Sequence, residues 1–348
     1  MNQERKRIHL VIMAEALICF MIMIIALMND PVHATESDRW MKNELQEEHG
    51  TIGFLEEDGI IRDPVSTAFG VPGWNRNDVH GIYVLDTLDS APNTAIDLSA
   101  AGDGSVLGWL DSNNILYIAG DGGVKAPKDC SALFAWYENA KIIDLGGNLH
   151  TDDTTDFQYM FYHCYKAQQI NLSGMNTEKA DTFSKMFAYC QSITELDFSS
   201  FDTSSSDSFY QMFIYCDSLK RLDLSSFSVD SARTLSLMFY NCGNLEEIIF
   251  SPEKFDTSNV KRMMDLFLGC RNLSILDVSW FNMGEVTSVK NMFMGCRKLP
   301  DMDLTGWDLK NAEDHEGMFA NSSLEYRYGR NGEYFFQFHR DVTNPWNT

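Results

Sequence analysis

The chain has 348 residues, a formal charge of -23, 44% hydrophobic residues and 12% aromatic ones. Such a composition can build a core, which excludes a disordered acidic polymer. Its charge repels nucleic-acid phosphates and anionic lipid surfaces, so nucleic acid is not an expected partner, whereas cations and basic protein patches are attracted.

The first predicted element is a signal peptide over residues 1–34. Arg5, Lys6 and Arg7 form a positive start, and an apolar run from Ile8 to Met28 is broken only by Glu15. "NDPVHATES" then supplies a turn and a small-residue site, with Val32 at minus three and Ala34 at minus one. Cleavage is expected after Ala34. The alternative is a retained anchor, since the run approaches the length of a membrane span; Glu15 and the placed cleavage site speak against it. Cys19 follows Ile18, where a lipid-modified cysteine needs a small predecessor. Either way the protein is expected to be secreted or at the extracellular cell surface. It would touch membrane only through an uncleaved N-terminal segment.

Residues 35–130 read as a leader and cap. The stretch 35–60 is acidic and mostly polar, a spacer. "VLGWLDSNNILYI", from Val106 to Ile118, reads as a hairpin turning at Asp-Ser-Asn-Asn.

The repeats dominate residues 131–322. A Met-Phe or Leu-Phe pair recurs at Met160, Met186, Met212, Met238, Leu266, Met292 and Met318, in steps of 26, 26, 26, 28, 26 and 26. The long step holds extra residues around Pro252, and a degenerate first copy starts at Leu133. This period marks a solenoid, whose units bury their apolar faces only by stacking on one another. "ITELDFS" alternates as a strand does, with Leu196 and Phe198 flanking outward Asp197. "DTFSKMFAYC" spaces Phe183, Met186, Phe187 and Cys190 as a short helix does, with Asp181 as its N-cap. The frame L-x-x-L-x-L is that of leucine-rich repeats. The expected fold class is therefore α/β: a leucine-rich-repeat-like solenoid with a stacked parallel sheet, capped by small β-rich ends. Where ordinary repeats carry Asn after the strand, this chain has Met175, Phe201, Phe227, Phe255, Phe281 and Trp307, which predicts an aromatic spine at the corner. Residues 323–348 supply a C-terminal hairpin cap, "LEYRYGRNGEYFFQF", turning at Arg-Asn-Gly.

The unit "MFxxCxxLxxLDLSSFDTSxV" resembles the repeat of the bacterial BspA-like leucine-rich repeat surface proteins, from about Leu133 to Phe319. "SVLGWLDSNNILYIAGDGGVKAPKDCSALF" resembles the leader that precedes those repeats. The resemblance implies adhesion to host matrix proteins, host cells or other bacteria. It brings no defined binding residues. Surface attachment is expected through the N-terminus or non-covalent contacts, because no wall-sorting motif stands near Thr348.

Cys164, Cys190, Cys216, Cys242, Cys270 and Cys296 occupy one repeat column, with Tyr137 and Ser322 in that place at the ends. In an exported chain disulfides are the first suspicion. One equivalent cysteine per unit, with no designated partner, reads instead as a ladder of buried thiols. No ligand spacing for zinc appears, so neither metal nor cofactor is expected.

The candidate binding surface is an acidic strip on the outward strand positions: Asp144, Asn171, Asp197, Asp223, Asp277 and Asp303, with Glu195, Arg221, Glu247 and Asp301 in the neighbouring column. Stacked about 5 Å apart, neighbouring carboxylates would repel by about 0.8 kcal/mol at water's dielectric constant. Either the strip meets a basic ligand, or each Asp accepts hydrogen bonds from nearby backbone or Ser and merely ends its strand.

No G-x-S-x-G, H-E-x-x-H or P-loop is present. The expected function is a repeat module that binds protein or glycan on host or bacterial surfaces, without catalysis. The alternative is an exported enzyme whose chemistry lies in residues 35–130, with the repeats as a targeting module.

Overall fold

The computed structural model describes residues 74–333, so the expected signal peptide and the acidic spacer lie outside the described residues. No helix among the described residues is long and apolar enough to cross a membrane. The fold is β-rich, with short strands, many turns and parallel pairing between repeat units.

The N-terminal part opens with a 3-10 turn at Arg76–Asp78 and continues through β1 (Gly81–Leu85), β2 (Ile96–Asp97), β3 (Val106–Leu110), β4 (Ile115–Gly120) and β5 (Val124–Lys125). β3 and β4 form the expected hairpin, with Leu110 opposite Leu116. Asp111 closes it: its Oδ1 accepts the N–H groups of Asn113 (2.8 Å) and Ile115 (2.9 Å). β1 was not legible beforehand. It lies parallel to β4 on one side and to β6 (Ile142–Asp144) of the first repeat unit on the other. With β8 (Gln169–Asn171), this gives a six-stranded sheet in the order β2-β3-β4-β1-β6-β8. The leader thus extends the sheet of the repeats and covers its open edge.

Elsewhere, other equivalent positions of neighbouring units also pair in parallel. β7 (Leu149–His150) pairs β5, and β9 (Arg221–Leu224) pairs β10 (Glu247–Phe250). The unbroken ladder lies on a different column from the one expected. It runs through Asp129, Asp156, Thr182, Ser208, Thr234, Arg262, Ser288 and Asp314 as successive parallel bridges. The "ELDF" segment of Glu195–Phe198 alternates outward and inward as predicted without being hydrogen-bonded as a strand.

The helix expected in each unit is absent, which removes the α half of the α/β expectation. Residues 183–191 are successive turns, and Asp181 caps no helix. Within the unit, Met186 N–H donates to Phe183 O, Ala188 to Lys185 O and Cys190 to Phe187 O, each at 3.1 Å. The intervening donors reach the next unit: Phe187 N–H to Met212 O at 3.0 Å and Tyr189 N–H to Ile214 O at 2.8 Å. A helix this short would leave most of its backbone groups without intrahelical partners. Sending every second N–H to the next unit satisfies them. The conformation needs a left-handed residue at every fourth place, here Lys185 (φ 58°) and Tyr189 (φ 64°). Such residues cost roughly 1–2 kcal/mol each. Later units relieve that cost in the same columns with Gly269, Gly295 and Gly317, or with Asn241, Asn291 and Asn321.

The core follows the repeat columns. Phe134, Phe161, Phe187, Phe213, Phe239, Phe267, Phe293 and Phe319 stack ring on ring at 5.3–5.8 Å, within 13° of parallel. This continuous stack belongs to the Met-Phe column, not to the corner. The corner residues Phe201, Phe227, Phe255, Phe281 and Trp307 are buried, but their contacts are broken into short runs such as Phe255–Phe281 at 5.8 Å. The polar ladder that asparagine would supply comes from buried threonines. Thr177 Oγ1 donates to Asp202 O (2.8 Å) and accepts Asp202 N–H (2.9 Å). Thr203 does the same with Ser228, at 2.8 and 2.9 Å.

All seven cysteines from Cys130 to Cys296 are buried free thiols. Those of the column are donors as well as filler: Cys190 Sγ–H reaches Phe161 O (3.2 Å), Cys216 reaches Phe187 O (3.2 Å) and Cys242 reaches Phe213 O (3.0 Å), each in the preceding unit. Burial pushes the thiols upward, Cys164 to about 12, so thiolate is scarce and reactivity low. Alkylation without reductant should therefore label few of these thiols in the native protein and nearly all of them in urea. Disulfides persisting in the unfolded, unreduced sample would contradict the thiol ladder. Because the thiol has a carbonyl partner, Cys216→Ser should cost only about 1 kcal/mol by denaturant titration.

Both ends of the array are closed by hydrogen bonds. The Arg76 guanidinium donates to the carbonyls of Ala135 and Ala132, and it lies 5.1 Å over the Tyr137 ring. Ala135 O occupies the place where Ala188 O, one interior equivalent, accepts His163 N–H from the preceding unit. At the far end, Phe319 N–H donates to Arg330 O (3.0 Å) and Gly317 N–H to Asn331 Oδ1 (2.8 Å). The hairpin expected there is corrected in its first arm, which is the helical turn α1 (Glu325–Tyr328). The reason is Tyr328, which is buried against Phe319 and bridges Met302 O (2.6 Å) and Leu304 N–H (3.0 Å) with its hydroxyl. The second arm lies outside the described residues.

Candidate binding surface

The strand positions place the predicted strip as an outward row, one residue per unit. Asp197, Asp277 and Asp303 are exposed, and Asp144, Asn171 and Asp223 are half-buried. Each one closes a local turn. Asp144 Oδ1 accepts Gly146 N–H (2.9 Å) and Asn171 Nδ2–H (2.7 Å). Asn171 Oδ1 accepts Ser173 N–H (3.0 Å), and Asp197 Oδ1 accepts Ser199 N–H (2.9 Å). Asp223, Asp277 and Asp303 each accept both the backbone N–H and the hydroxyl two residues on, at 2.6–3.1 Å. The strand-ending role of these carboxylates is thus present in the geometry. The same bonds hold Asp197, Asp223 and Asp303 below the usual carboxylate range, led by Ser199 N–H, the Ser225 hydroxyl and the Thr305 hydroxyl.

The row is less uniformly acidic than its composition suggests. Asp223 pairs with Ile249 across β9 and β10, so the next carboxylate, Asp277, lies beyond an apolar residue. In the neighbouring column Arg221 binds Glu247 (2.9 Å) and Asp223 (3.3 Å), while Arg327 of α1 binds Asp301 and approaches Asp303 at 3.8 Å. Glu195 is exposed without a charged partner among the described residues. Ile275 stands 57% exposed between Glu247 and Asp301, an apolar break in that column. Among the described residues, no group of three or more metal-ligating side chains is gathered. The described part of the leader, residues 74–130, supplies four strands of the six-stranded sheet, while its Val124–Lys125 strand and Asp129 pair with the first repeat unit elsewhere.

A second surface was missed in the sequence. On the turn side, Tyr162, Tyr189, Tyr215 and Tyr240 follow one another across units, at centroid distances of 5.7, 5.0 and 5.6 Å, and Trp136 abuts Tyr162 at 5.1 Å. Tyr162, Tyr189 and Tyr215 are only half-buried. Burial raises their phenols, Tyr189 to about 12. The recurrence of Tyr before Cys in "AYC" and "IYC" was the available signal.

No curated protein and no solved structure matches the chain. A family model described as "Mycoplasma protein of unknown function, DUF285" matches residues 128–252 and 219–326. Those matches span the stacked units and together cover more than half of the sequence, and the chain belongs to the DUF285 repeat family.

Proposed function

We propose that this chain is a BspA-like, leucine-rich-repeat-like solenoid, exported by a bacterium and secreted or held at its surface. There it binds macromolecules of a host or of neighbouring bacteria without catalysis. The observation that carries the reading is the division of labour within each unit. Apolar columns form a continuous core, and a polar or charged side chain faces outward in register in every unit of the row except that of Ile249. Repeat proteins bind through such extended rows. The N-terminal signal pattern supports export.

The test compares the mature chain with a variant carrying Asp197→Asn, Asp223→Asn, Asp277→Asn and Asp303→Asn. Asn171 already closes the same turn with its amide oxygen, so the variant should keep the fold, with a loss of stability at neutral pH where the hydrogen-bonded carboxylates are charged. Affinity for immobilised basic host matrix proteins should fall, and the salt dependence of association should flatten, because screening at physiological salt reaches about 8 Å. Unchanged affinity together with unchanged salt dependence would remove the strip from the binding surface.

A further inference from the structure

The residue after the column cysteine is Glu138, Tyr165, Gln191, Asp217, Gly243, Arg271 and Arg297 in successive units. Gly243 alone lacks a side chain, and a notch opens between Asp217 and Arg271. The resulting cleft has a volume of about 350 Å³, with Tyr215 on one wall. That size falls within the range of small-molecule sites.

The cleft's polar groups are held by bonds between units. Asn244 Nδ2–H donates to Asp217 O (2.9 Å), and Asn272 Nδ2–H donates to Gly243 O (2.9 Å) and Asn244 Oδ1 (3.3 Å). Asn241 lies in a left-handed turn (φ 55°), packed against the Gly269 backbone, where a Cβ would meet its Oδ1 at 2.0 Å. Tyr215 is stacked on Tyr189 at 5.0 Å. Arg271 is exposed, and its guanidinium makes no hydrogen bond or ion pair among the described residues. The half-buried Asp217 carboxylate faces it across the notch.

This set selects a ligand class. A carboxylate acceptor, a guanidinium donor and fixed amides suit a ligand rich in neighbouring hydroxyls, which both donate and accept. The Tyr215 ring suits the apolar C–H face of such a ligand. A purely apolar ligand would strip water from Asp217 and Arg271 without replacing it. A strong anion would meet the Asp217 charge and the net charge of -23. We propose that this cleft is a carbohydrate subsite that takes one pyranose unit of a neutral glycan, the chain continuing over Tyr189 and Tyr162. The proposal rests on the surface-binding reading above and names its ligand class at a different face.

Gly243→Gln tests it. Gly243 has no left-handed φ, and a Cβ there meets only Asp217 Oδ1, at 3.9 Å, so the side chain refills the notch without strain. The whole mature chain is titrated with methyl hexosides and with neutral oligosaccharides of glucose, galactose, mannose and N-acetylglucosamine, read by saturation-transfer NMR and calorimetry. At least one should bind, and Gly243→Gln and Arg271→Ala should each weaken it tenfold or more without moving the thermal midpoint by more than a degree or two. Tyr215→Ala should weaken the methyl hexoside and the oligosaccharide alike, whereas Tyr162→Ala, outside the cleft, should weaken only the oligosaccharide. Absence of binding by every sugar, or binding unchanged in Gly243→Gln, would overturn the proposal. Matrix-protein binding retained by Gly243→Gln in that case would leave the surface-binding reading standing, so the two fail separately.

Discussion

Phe213→Ala is expected to cost about 3–5 kcal/mol of stability, the range for removing a fully buried aromatic ring from a core. Its ring has no exposed surface. It stacks on Phe187 at 5.8 Å and on Phe239 at 5.7 Å, and it meets Phe198 edge-on at 5.7 Å. Truncation opens a cavity at both interfaces of one unit, and in a stacked array the stability is close to a sum of unit and interface contributions. The backbone around Phe213 cannot collapse inward to fill the gap. Its N–H is tied to Met238 O at 2.9 Å, and its carbonyl accepts both Cys216 N–H and Cys242 Sγ–H. Phe213→Leu keeps most of the volume and should cost only about 1–2 kcal/mol. Denaturant titration of both variants is the measurement. A cost below about 1 kcal/mol for the alanine variant would mean that the ring column is not the axis of the core.

How much of this was legible depends on what kind of pattern carried it. The period, the buried columns and the outward row were readable because a side chain's column is fixed by register alone. The cysteine column was readable for the same reason, since equivalence without partners is a property of spacing. The helix was misread because two successive turns with a left-handed residue every fourth place put Phe183, Met186, Phe187 and Cys190 on one side, as a helix would. Apolar spacing of three and four cannot separate the two. What separates them is the backbone, whose alternate N–H groups go to the next unit. The threonine ladder escaped because "DTS" looks like a turn, and a buried hydroxyl needs knowledge of where the adjacent backbone lies. Tyr328 escaped because a short aromatic segment at a chain end reads equally well as a strand. The outward placement of the acidic row was readable, but its partial neutralisation by Arg221 and Arg327 depends on contacts across 26 residues. The Gly243 notch is visible only when the units are aligned as neighbours and a missing side chain becomes a space.

Two aspartates, the buried Asp265 and the half-buried Asp156, should shape the pH dependence of stability in a direction opposite to the outward row. Burial raises Asp265 from 3.8 to about 6, opposed by the hydrogen bond from Asn291 and the charge of Lys290. Burial also raises Asp156 to about 6, helped by the charge of Asp129 and opposed by Gln158 N–H. A folded-state value above the unfolded one means that the folded chain holds the proton more tightly. The stabilisation is therefore complete below about pH 4 and is lost as pH rises to about 6, and the penalty is constant above that. For Asp265, only 8% exposed, the penalty at neutral pH is about 2–3 kcal/mol. Asp197, Asp202, Asp223 and Asp303 are shifted downward, so their contributions are present at neutral pH and lost on acidification through their folded values. Asp265→Asn removes the buried charge and keeps an oxygen that can accept the Asn291 amide, now at 3.0 Å. Its gain over the parent should be near zero at pH 4, grow through pH 5 and level off above pH 6. Asp156→Asn should follow the same profile at smaller amplitude, because that side chain is only half-buried. Urea titrations at half-unit intervals from pH 4 to pH 8 measure the difference. A gain that is equal at pH 4 and pH 7, or absent at pH 7, would show that these carboxylates are solvated in the folded chain and that burial does not govern their ionisation.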